Sequence, residues 1–370
     1  MRIAFMLTSL GIGGTERQVV ALAERMRARG HAVLIVVLTD GTPQEWPVRV
    51  EVVHLALHKT PLDGIRGVAR AAPALRAFRP DVLHCHNFHG NILGRLLKLV
   101  LPRVRVVSTI HNIYEGGRLR MLAYRMTNQL SQRTVGVCEA AATHMLECGA
   151  APRRKPCQVI ANGIDLAAFT PNEERRAAMR QQMGAADRFV WITVGRVVRA
   201  KDYENLLRAF ALTHAAQVHA ELWIAGEGTG LYADCMKRLA DELGLSRAIR
   251  WLGLRKDVEA LLDAADAFVL SSAWEGMPLA VGEAMAMHKP VVATDVGGVR
   301  ELLGDCGTLV PAMNSGSLAD AMLEVMRAAN SARWVETCQS ARRRIEEQFS
   351  MDANADKWEL LFRSLLTQPA

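Results

Sequence analysis

Short apolar runs alternate with longer amphipathic stretches over most of the chain. In the first half, the runs that predict strands lie at 2–7, 32–38, 50–55, 81–84, 104–110, 134–137 and 158–160. Stretches that predict helices lie between them at about 15–29, 65–78, 91–100, 119–131 and 140–147. Because strand and helix alternate, the pattern favours an open parallel sheet with helices on both faces.

A second alternating series follows a turn-rich break at Asn162–Asp165. Its predicted strands lie at 189–194, 222–225, 249–252, 267–270, 290–293 and 308–310, and helices at 317–329, 332–349 and 352–366 close the chain. A chain of 370 residues is long enough for about two domains. The pattern therefore predicts two parallel-sheet domains joined near residue 165.

The first predicted strand is followed by a turn with glycines at 11, 13 and 14. Backbone amides in such a turn can contact a phosphate or an acceptor hydroxyl. Glu16 stands where the dinucleotide-binding fingerprint needs its third glycine. A dehydrogenase that would bind a ribose through Asp40 is therefore disfavoured.

Histidines mark two further strand ends, at His84, His86 and His89 and at His111. Three closely spaced histidines suggest a metal site, but no carboxylate or paired cysteine completes a ligand set. The order strand, bend and helix would also scatter the rings. Hydrogen-bonded histidines that line a cleft are the favoured interpretation.

The most informative segment is 268–301, which contains a predicted strand, a loop, a helix and a second strand. Glu275 lies in the loop and Glu283 lies inside the helix. The helix N-terminus suits a phosphate because its N–H groups are unpaired and its dipole is positive there, and Gly276 lets a ligand approach the backbone. A carboxylate accepts two hydrogen bonds, which suits a ribose at Glu283 and a sugar at Glu275. The segment predicts a site for a sugar, a diphosphate and a ribose in series.

This segment resembles the E-x7-E signature of the retaining glycosyltransferases of family 4. The resemblance rests on Glu275 and Glu283 with seven residues between them, followed by Ala-Met-Ala, Pro-Val-Val-Ala-Thr, a glycine pair and Glu301. It implies an α/β protein of the GT-B fold, with two Rossmann-like parallel-sheet domains facing a central cleft. It further implies an acceptor-binding domain at 1–165, a nucleotide-sugar-binding domain at 166–350, and a final helix at 351–370 that crosses back to the first domain.

The resemblance also implies roles for individual residues. Arg196 and Lys201 would bind the donor diphosphate, His111 and Glu275 would contact the transferred sugar, and Glu283 would hold the ribose; all but Glu283 are the expected catalytic residues. The other expected donor-binding residues are Gly13, Gly14, Gly226, Leu252, Gly276, Met277, Pro278 and Leu279. The expected acceptor-binding residues are Gly14, His86, His111 and Asn112. The family often has His-Asp where this chain has His111-Asn112, so the neighbouring carboxylate is missing.

The activity that the resemblance implies is transfer of a hexose from a nucleotide-sugar, with UDP favoured, to a glycan or lipid-linked acceptor. Envelope polysaccharide or lipopolysaccharide biosynthesis is the expected setting. No Asp-x-Asp triplet occurs, so the two cations and the helix N-terminus are expected to replace a metal, and no cofactor is expected. A GDP-mannose-type mannosyltransferase and an epimerase or phosphorylase of the same fold are the alternatives.

Charge is unevenly distributed along the chain. Residues 1–165 carry 22 Lys and Arg against 11 Asp and Glu, whereas residues 166–370 carry 23 against 27. The basic half favours an anionic partner. The basic helical stretch 91–105 is a candidate contact to an anionic membrane surface, with an ordinary solvated basic face as the alternative. The loop at 114–125 is a candidate mobile, basic flap for the acceptor, with a plain surface loop as the alternative. Nucleic acid is disfavoured as a partner because recognisable motifs are lacking and aromatic residues make up 5% of the chain.

Seven scattered cysteines without a CxxC pair predict reduced thiols rather than a disulfide framework. No apolar run reaches the roughly 18 residues of a membrane span, and the N-terminus is interpreted as a strand instead of a signal peptide. A cytoplasmic enzyme, peripheral on the inner face of the membrane, is the expectation.

Overall fold

The computed structural model describes residues 1–11, 13–39, 49–58, 63–151 and 157–367, so Asp40 lies outside the described residues. Its strands are β1 (Arg2–Leu7), β2 (Ala32–Val37), β3 (Glu51–His54), β4 (Val82–His86), β5 (Arg105–Ile110), β6 (Arg133–Gly136), β7 (Gln158–Val159), β8 (Phe189–Val194), β9 (Ala220–Ala225), β10 (Ile249–Gly253), β11 (Ala267–Leu270), β12 (Val291–Thr294) and β13 (Thr308–Val310). The predicted alternation of strands and helices is confirmed.

The helices cover the stretches between and after these strands. They are α1 (Gly14–Ala28), α2 (Asp63–Phe78), α3 (Asn87–Leu97), α4 (Arg118–Thr127), α5 (Glu139–Glu147), α6 (Glu173–Gln182), α7 (Tyr203–Ala216), α8 (Leu231–Glu242), α9 (Val258–Ala264), α10 (Leu279–Ala286), α11 (Val299–Leu303), α12 (Ser315–Arg327), α13 (Ala332–Arg344) and α14 (Met351–Leu366). Among the residues that the structure describes, no helix is both long and apolar enough to cross a bilayer.

The chain divides into two compact units. Unit 1 consists of Met1–Gly163 and Met351–Ala370, and unit 2 of Ile164–Ser350. The sheet of unit 1 has the order β3-β2-β1-β4-β5-β6-β7, and that of unit 2 the order β10-β9-β8-β11-β12-β13. All neighbouring strands are parallel. These are two Rossmann-like sheets, as the fold prediction required.

The central strands are buried on both faces, which explains their continuous apolar runs. In β1, Phe5 belongs to the cluster that includes residues of α1 and α14, whereas Met6 belongs to the cluster with residues of α2 and α3. Alternate side chains point to opposite faces because the strand period is two. In unit 2, Trp191 of β8 packs in the cluster with Phe210 of α7 and Met322 of α12. Full burial of one such side chain stabilises the fold by about 1.5–3 kcal/mol.

The strand order reverses direction at one point in each sheet. In unit 1, β1 lies between β2 and β4, and in unit 2, β8 lies between β9 and β11. Ligands of open parallel sheets bind beyond the carboxyl ends of the strands at such points. The turn after β1 and the end of β4 meet this condition in unit 1. The turn after β8 and the loop after β11 meet it in unit 2.

The starts of α3 and α10 differ from the prediction. Helix α3 begins at Asn87, four residues earlier than predicted, because the chain turns from β4 directly into the helix there. Asn87 has a φ of 61°, a left-handed conformation that asparagine tolerates better than most residues. Pro278, predicted in the first turn of α10, stands one residue before the helix as its N-cap.

The basic surface predicted along 91–105 is wrong at two of its arginines, because Arg95 and Arg105 are buried. The guanidinium group of Arg95 donates to Ser108 Oγ at 3.0 Å, to the carbonyl oxygen of Tyr124 at 3.0 Å and to Thr134 Oγ1 at 3.2 Å. Burial lowers the pKa of Arg95 to about 10. The arginine binds β5, β6 and α4 together inside unit 1 instead of facing solvent.

Candidate functional site

The loop between β11 and α10 is anchored by hydroxyl groups of buried residues. Ser271 Oγ donates to the carbonyl oxygen of Lys201 at 2.8 Å. Thr294 Oγ1 donates to the carbonyl oxygen of Ser272 at 2.7 Å. Ser271 and Ser272 are the first two residues of the loop, and these bonds tie them to the segment after β8 and to the end of β12. The start of the loop is therefore anchored to two neighbouring parts of unit 2.

Glu275, at the tip of this loop, makes an ion pair with a residue from the other side of the strand-order reversal. Lys201 Nζ lies 2.6 Å from Glu275 Oε1, and Ser272 Oγ donates to the same oxygen at 2.6 Å. The Lys201 and Glu275 side chains are 22% and 13% exposed. A pair in this partly dry position is stronger than a surface pair, since solvent screens it less.

The glycine pair after β12 packs against the back of the same loop. Gly297 has a φ of 57°, and a Cβ atom there would lie 2.1 Å from the carbonyl oxygen of Glu275. The N–H group of Gly298 donates to the carbonyl oxygen of Gly276 at 2.7 Å. Only glycine satisfies both the backbone angle and the close approach at position 297. The glycine pair therefore fixes the position of the loop backbone at Glu275 and Gly276.

The turn after β8 is equally tight. A Cβ atom on Gly226 would lie 1.9 Å from the carbonyl oxygen of Gly195, so the turns after β8 and β9 are in direct backbone contact. Tyr203 Oη donates to that same carbonyl oxygen at 2.8 Å. The side chain of Arg196 is exposed next to this rigid turn. Its guanidinium group is thus presented from a fixed backbone.

Helix α10 starts directly after the loop. Pro278 stands at its N-cap without a side-chain hydrogen bond, and its first turn holds no acidic residue. Orphan N–H groups and the positive dipole end therefore favour an anion at this point. Glu283 lies one turn further into the helix and is 3% exposed. Met277 and Pro278 are buried, whereas Leu279 and Leu252 at the end of β10 are partly exposed.

In unit 1, the expected sugar-contacting histidine is coupled to a second histidine. His86 Nδ1 lies 2.9 Å from His111 Nε2, so one ring donates to the other. His86 is only 2% exposed, and His111 is partly buried at the end of β5. Burial lowers the pKa of His111 to about 4 and that of His86 well below its usual value. Both rings are therefore neutral at pH 7, and His111 can act as a hydrogen-bonding group but not as a cation.

The other histidine on β4, His84, serves the core. Its ring lies 4.2 Å from the Trp358 ring of α14, and its Nε2 lies 2.7 Å from Thr109 Oγ1. Within the described ranges, no group of three His, Cys, Asp or Glu side chains is arranged to hold a metal ion. His84 is thus a packing residue of unit 1.

Two family models match the chain, "Glycosyltransferase Family 4" over residues 12–168 and "Glycosyl transferases group 1" over residues 188–328. The chain belongs to glycosyltransferase family 4. The two matched regions correspond to most of unit 1 and most of unit 2.

Curated proteins similar to this family 4 chain come from several bacteria. The UDP-Gal:alpha-D-GlcNAc-diphosphoundecaprenol alpha-1,3-galactosyltransferase of Escherichia coli is 27% identical over 239 residues, with 60% of each chain covered. The D-inositol 3-phosphate glycosyltransferase of Mycolicibacterium smegmatis is 30% identical over 279 residues, which cover 70% of this chain and 63% of that protein. The chain thus spans less than two thirds of the length of these curated relatives.

Solved structures resemble the family 4 chain over nearly its whole length. HepE of Anabaena, crystallised with UDP-glucose, has a TM-score of 0.86 at 22% identity, with 98% of this chain and 99% of that chain covered. WaaG, a glycosyltransferase involved in lipopolysaccharide biosynthesis, has a TM-score of 0.75 at 18% identity, with 97% and 99% covered. At these identities the likeness concerns the fold, which is GT-B as the resemblance implied.

The structure distributes the predicted site residues of this family 4 member over both units. Unit 2 brings the Lys201 ammonium and the Glu275 carboxylate together, with Arg196, Gly226 and α10 on neighbouring strand ends. Unit 1 holds Gly13 at the N-cap of α1 and Gly14 as its first residue, together with His111 and Asn112 after β5. His86 is buried and contacts the ring of His111. We therefore expect it to orient the His111 ring instead of contacting an acceptor directly.

Sequence reasoning missed two residues of these arrangements. Ser272, interpreted only as the end of a strand, donates to Glu275. Glu115 is buried, and Tyr124 Oη donates to its carboxylate at 3.2 Å. A sequence signal for Glu115 existed, since it is the only acidic residue between Asp81 and Glu139. A single acidic residue in a basic stretch can be singled out from the sequence, although it belongs to no spacing motif.

Proposed function

We propose that this chain transfers a sugar from a nucleotide-sugar to a glycan or lipid-linked acceptor in envelope polysaccharide or lipopolysaccharide biosynthesis. The observation that carries the proposal is the Lys201–Glu275 pair in unit 2, beside exposed Arg196 and the N-terminus of α10. Arg196, Lys201 and the N-terminus of α10 lie at one strand-order reversal and are suited to bind a diphosphate. The nearby carboxylates of Glu275 and Glu283 are suited to accept hydrogen bonds from sugar and ribose hydroxyl groups. Family membership supports the same activity.

UDP is the proposed nucleotide of the donor. One curated relative is named for UDP-Gal, and HepE was crystallised with UDP-glucose. Glu283 would hold the ribose, which is common to all nucleotide-sugars, so it does not distinguish UDP from GDP. A GDP-mannose-type donor is therefore an outcome that the binding experiment below separates.

The proposed chemistry is transfer with retention at the anomeric carbon. The acceptor hydroxyl oxygen forms the new bond to C1 of the sugar, the bond from C1 to the phosphate oxygen breaks, and the hydroxyl proton passes to the departing phosphate. Arg196, Lys201 and the α10 N-terminus would stabilise the charge that develops on the nucleoside diphosphate, which is why we propose transfer without a metal. Neutral His111 would donate or accept a hydrogen bond at the transferred sugar.

The test is a thermal-shift and calorimetry screen of UDP, GDP, ADP and their sugars, followed by transfer assays with the tightest-binding donor. Ligands that bind the native state raise the melting temperature, by an amount set by their affinity. We expect UDP to raise it and Arg196→Ala to reduce the effect, with Arg208→Ala, on the exposed face of α7, as the matched control. No shift with any nucleotide would contradict the proposal. Donor turnover without acceptor, or release of a sugar phosphate with added phosphate, would indicate an epimerase or a phosphorylase instead.

We further propose that unit 1 touches an anionic membrane through the outer face of α4. Leu119, Leu122 and Met126 follow one another at helical spacing and are 83%, 51% and 75% exposed. Helix α4 carries Arg118 and Arg125 on its exposed surface and contains no acidic residue. Exposed apolar side chains flanked by arginines suit a bilayer with anionic headgroups, because both components contribute to interfacial binding. A lipid-linked acceptor would be reached from such a position at the inner face of the membrane.

Co-sedimentation with vesicles tests this surface. We expect binding to phosphatidylglycerol-containing vesicles, weaker binding to phosphatidylcholine alone, and a loss of about tenfold on the change of Leu119 and Met126 to Ser. Leu212→Ser on α7, where the leucine is 53% exposed, is the matched control. Equal binding of the α4 variant and the control would contradict the proposal that α4 binds the membrane. It would leave the proposed transfer activity unaffected.

A further inference from the structure

His86 and His111 share one hydrogen bond at the carboxyl ends of β4 and β5, which are neighbours in the sheet of unit 1. His86 Nδ1 lies 2.9 Å from His111 Nε2. Burial lowers the pKa of both rings, to about 4 in His111, so both are neutral at pH 7. A neutral imidazole has one N–H group and one bare nitrogen. One ring therefore donates and the other accepts, and the direction of the bond fixes the tautomer of each.

The second nitrogen of His86 decides this direction. His86 Nε2 is buried and has no hydrogen-bond partner among the described residues. If His111 were the donor, the proton of His86 would stand on Nε2 as a buried N–H group without an acceptor. Such orphaned donors are rarer in folded proteins than unsatisfied acceptors. The favoured direction therefore runs from the Nδ1–H group of His86 to the bare Nε2 of His111.

The ring next to His86 is not bonded to it. The ring centre of His84 lies 4.1 Å from that of His86. His84 Nε2 lies 2.7 Å from Thr109 Oγ1, and His84 Nδ1 is itself buried without a hydrogen-bond partner within the described ranges. On its other sides His84 contacts the rings of Phe5 and Trp358, which offer no oxygen acceptor. The bond to His111 is thus the hydrogen bond that holds the His86 side chain.

We propose that His86 is a positioning residue that sets the tautomer of His111 for the proposed transfer reaction. The hydrogen bond of one imidazole nitrogen determines which nitrogen carries the proton. Because His86 occupies Nε2 of His111, the His111 proton stands on Nδ1. His111 is partly exposed, and its Nδ1–H group is the ring group left for a ligand. His111 then donates to an oxygen atom of the transferred sugar instead of accepting from a hydroxyl group. The inference rests on the proposed function, because it assigns a role within that reaction.

The first measurement does not depend on activity. In protein labelled with ¹⁵N at histidine, the ring signals distinguish a protonated nitrogen from a bare one, and comparison with His111→Gln assigns the His111 ring. At pH 7 we expect His111 to be protonated at Nδ1 and bare at Nε2. In His86→Phe, where the donor is lost, we expect signals of both His111 tautomers.

The second measurement is turnover. We expect His86→Phe to lower kcat by about 10–100-fold while KM for the donor is unchanged, because misplacement of a positioned group by 1 Å can have an effect of this size. His86→Asn retains an N–H donor and should recover part of kcat together with the Nδ1 proton of His111. His84→Phe is the matched control, since His84 is equally buried on the same strand but has no bond to His111.

A wild-type His111 ring protonated at Nε2 would overturn the inference, because His111 would then be the donor. This spectrum needs no change at His86, so it decides the matter even if His86→Phe fails to fold. Full kcat in His86→Phe, or an equal loss of kcat in His84→Phe, would also overturn it, since the bond to His111 would then have no effect on turnover. Absence of transfer by the wild type with every nucleotide-sugar would overturn the proposed function itself, whatever the tautomer.

Discussion

Lys201 Nζ lies 2.6 Å from Glu275 Oε1, so the cation expected at the donor diphosphate already contacts the acid expected at the donor sugar. The two residues follow different strands, β8 and β11, which are neighbours in the sheet of unit 2. Ser272 Oγ donates to the same carboxylate oxygen. The contact means that a change at either residue alters the charge and position of the other.

The first prediction concerns the stability of this pair. In a double-mutant cycle of Lys201→Met and Glu275→Gln, we expect a coupling in the free energy of unfolding of about 1–2 kcal/mol, because solvent screens the partly buried pair only in part. The exposed Arg208–Glu204 pair on α7, four residues apart, is the matched control and should give about 0.3–0.5 kcal/mol. Urea denaturation of the four proteins measures each coupling. Equal values for the two pairs would refute the special status of the Lys201–Glu275 contact.

Glu283 is predicted to carry nucleotide affinity. Its carboxylate is buried in α10, directly behind the helix N-terminus, where it suits the paired hydroxyls of a ribose. Glu283→Ala should weaken the binding of the nucleoside diphosphate by about 10–100-fold, as expected for lost hydrogen bonds to a charged group. Isothermal calorimetry with UDP measures the effect. Unchanged affinity in a folded variant would remove Glu283 from the donor site.

Arg196 is predicted to act more on turnover than on binding. Its guanidinium group is exposed next to the rigid Gly195–Gly226 contact, where it can follow the charge that develops on the leaving group. Arg196→Ala should lower kcat by about 10²–10³-fold, the range found for lost transition-state donors, and weaken UDP binding by less. Steady-state kinetics and calorimetry on the same preparation separate the two. A larger loss of affinity than of kcat would assign Arg196 to ground-state binding.

Gly297 offers a test of how the loop that carries Glu275 is held. Gly184 has the same φ of 57°, but a Cβ atom there meets nothing within 4 Å, whereas at Gly297 it would lie 2.1 Å from the Glu275 carbonyl oxygen. Gly184→Ala should therefore show only the backbone cost of about 1–2 kcal/mol. Gly297→Ala should cost clearly more and lower transfer activity. If both variants lose the same stability in urea, the close approach at Gly297 does not constrain the loop.

The histidines of unit 1 predict a dependence of stability on pH. Burial lowers the pKa of His111 to about 4, below its usual 6.5, so the unfolded chain binds this proton first as the pH falls. Stability is therefore complete above pH 6.5 and is lost as the pH falls toward 4, by at most about 3 kcal/mol for this residue. His111→Gln should show a shallower decline between pH 6.5 and 4 in urea titrations. An identical slope would show that His111 does not titrate as its burial requires.

Local pattern was a reliable guide where one strand or one turn decides the outcome. The apolar runs at Phe189–Val194 and Ala267–Leu270 are strands with the predicted bounds, because strands buried on both faces need continuous apolar sequence. Glu275 and Glu283 lie before and inside one short helix, as their spacing predicted. The start of α3 was misplaced because the left-handed conformation of Asn87 leaves no trace in hydrophobic periodicity.

The sequence by itself determined the two alternating series, the family and the loop that carries the acids, since each follows from neighbours along the chain. Only the tertiary structure decided which side chains meet. Arg95 and Glu115 lie in basic stretches of the sequence, yet both are buried in unit 1. Lys201 contacts Glu275, which is 74 residues away along the chain. The physical reason is that strand order sets these contacts, and the order places β8 beside β11 and β4 beside β5 through interactions that no local period encodes.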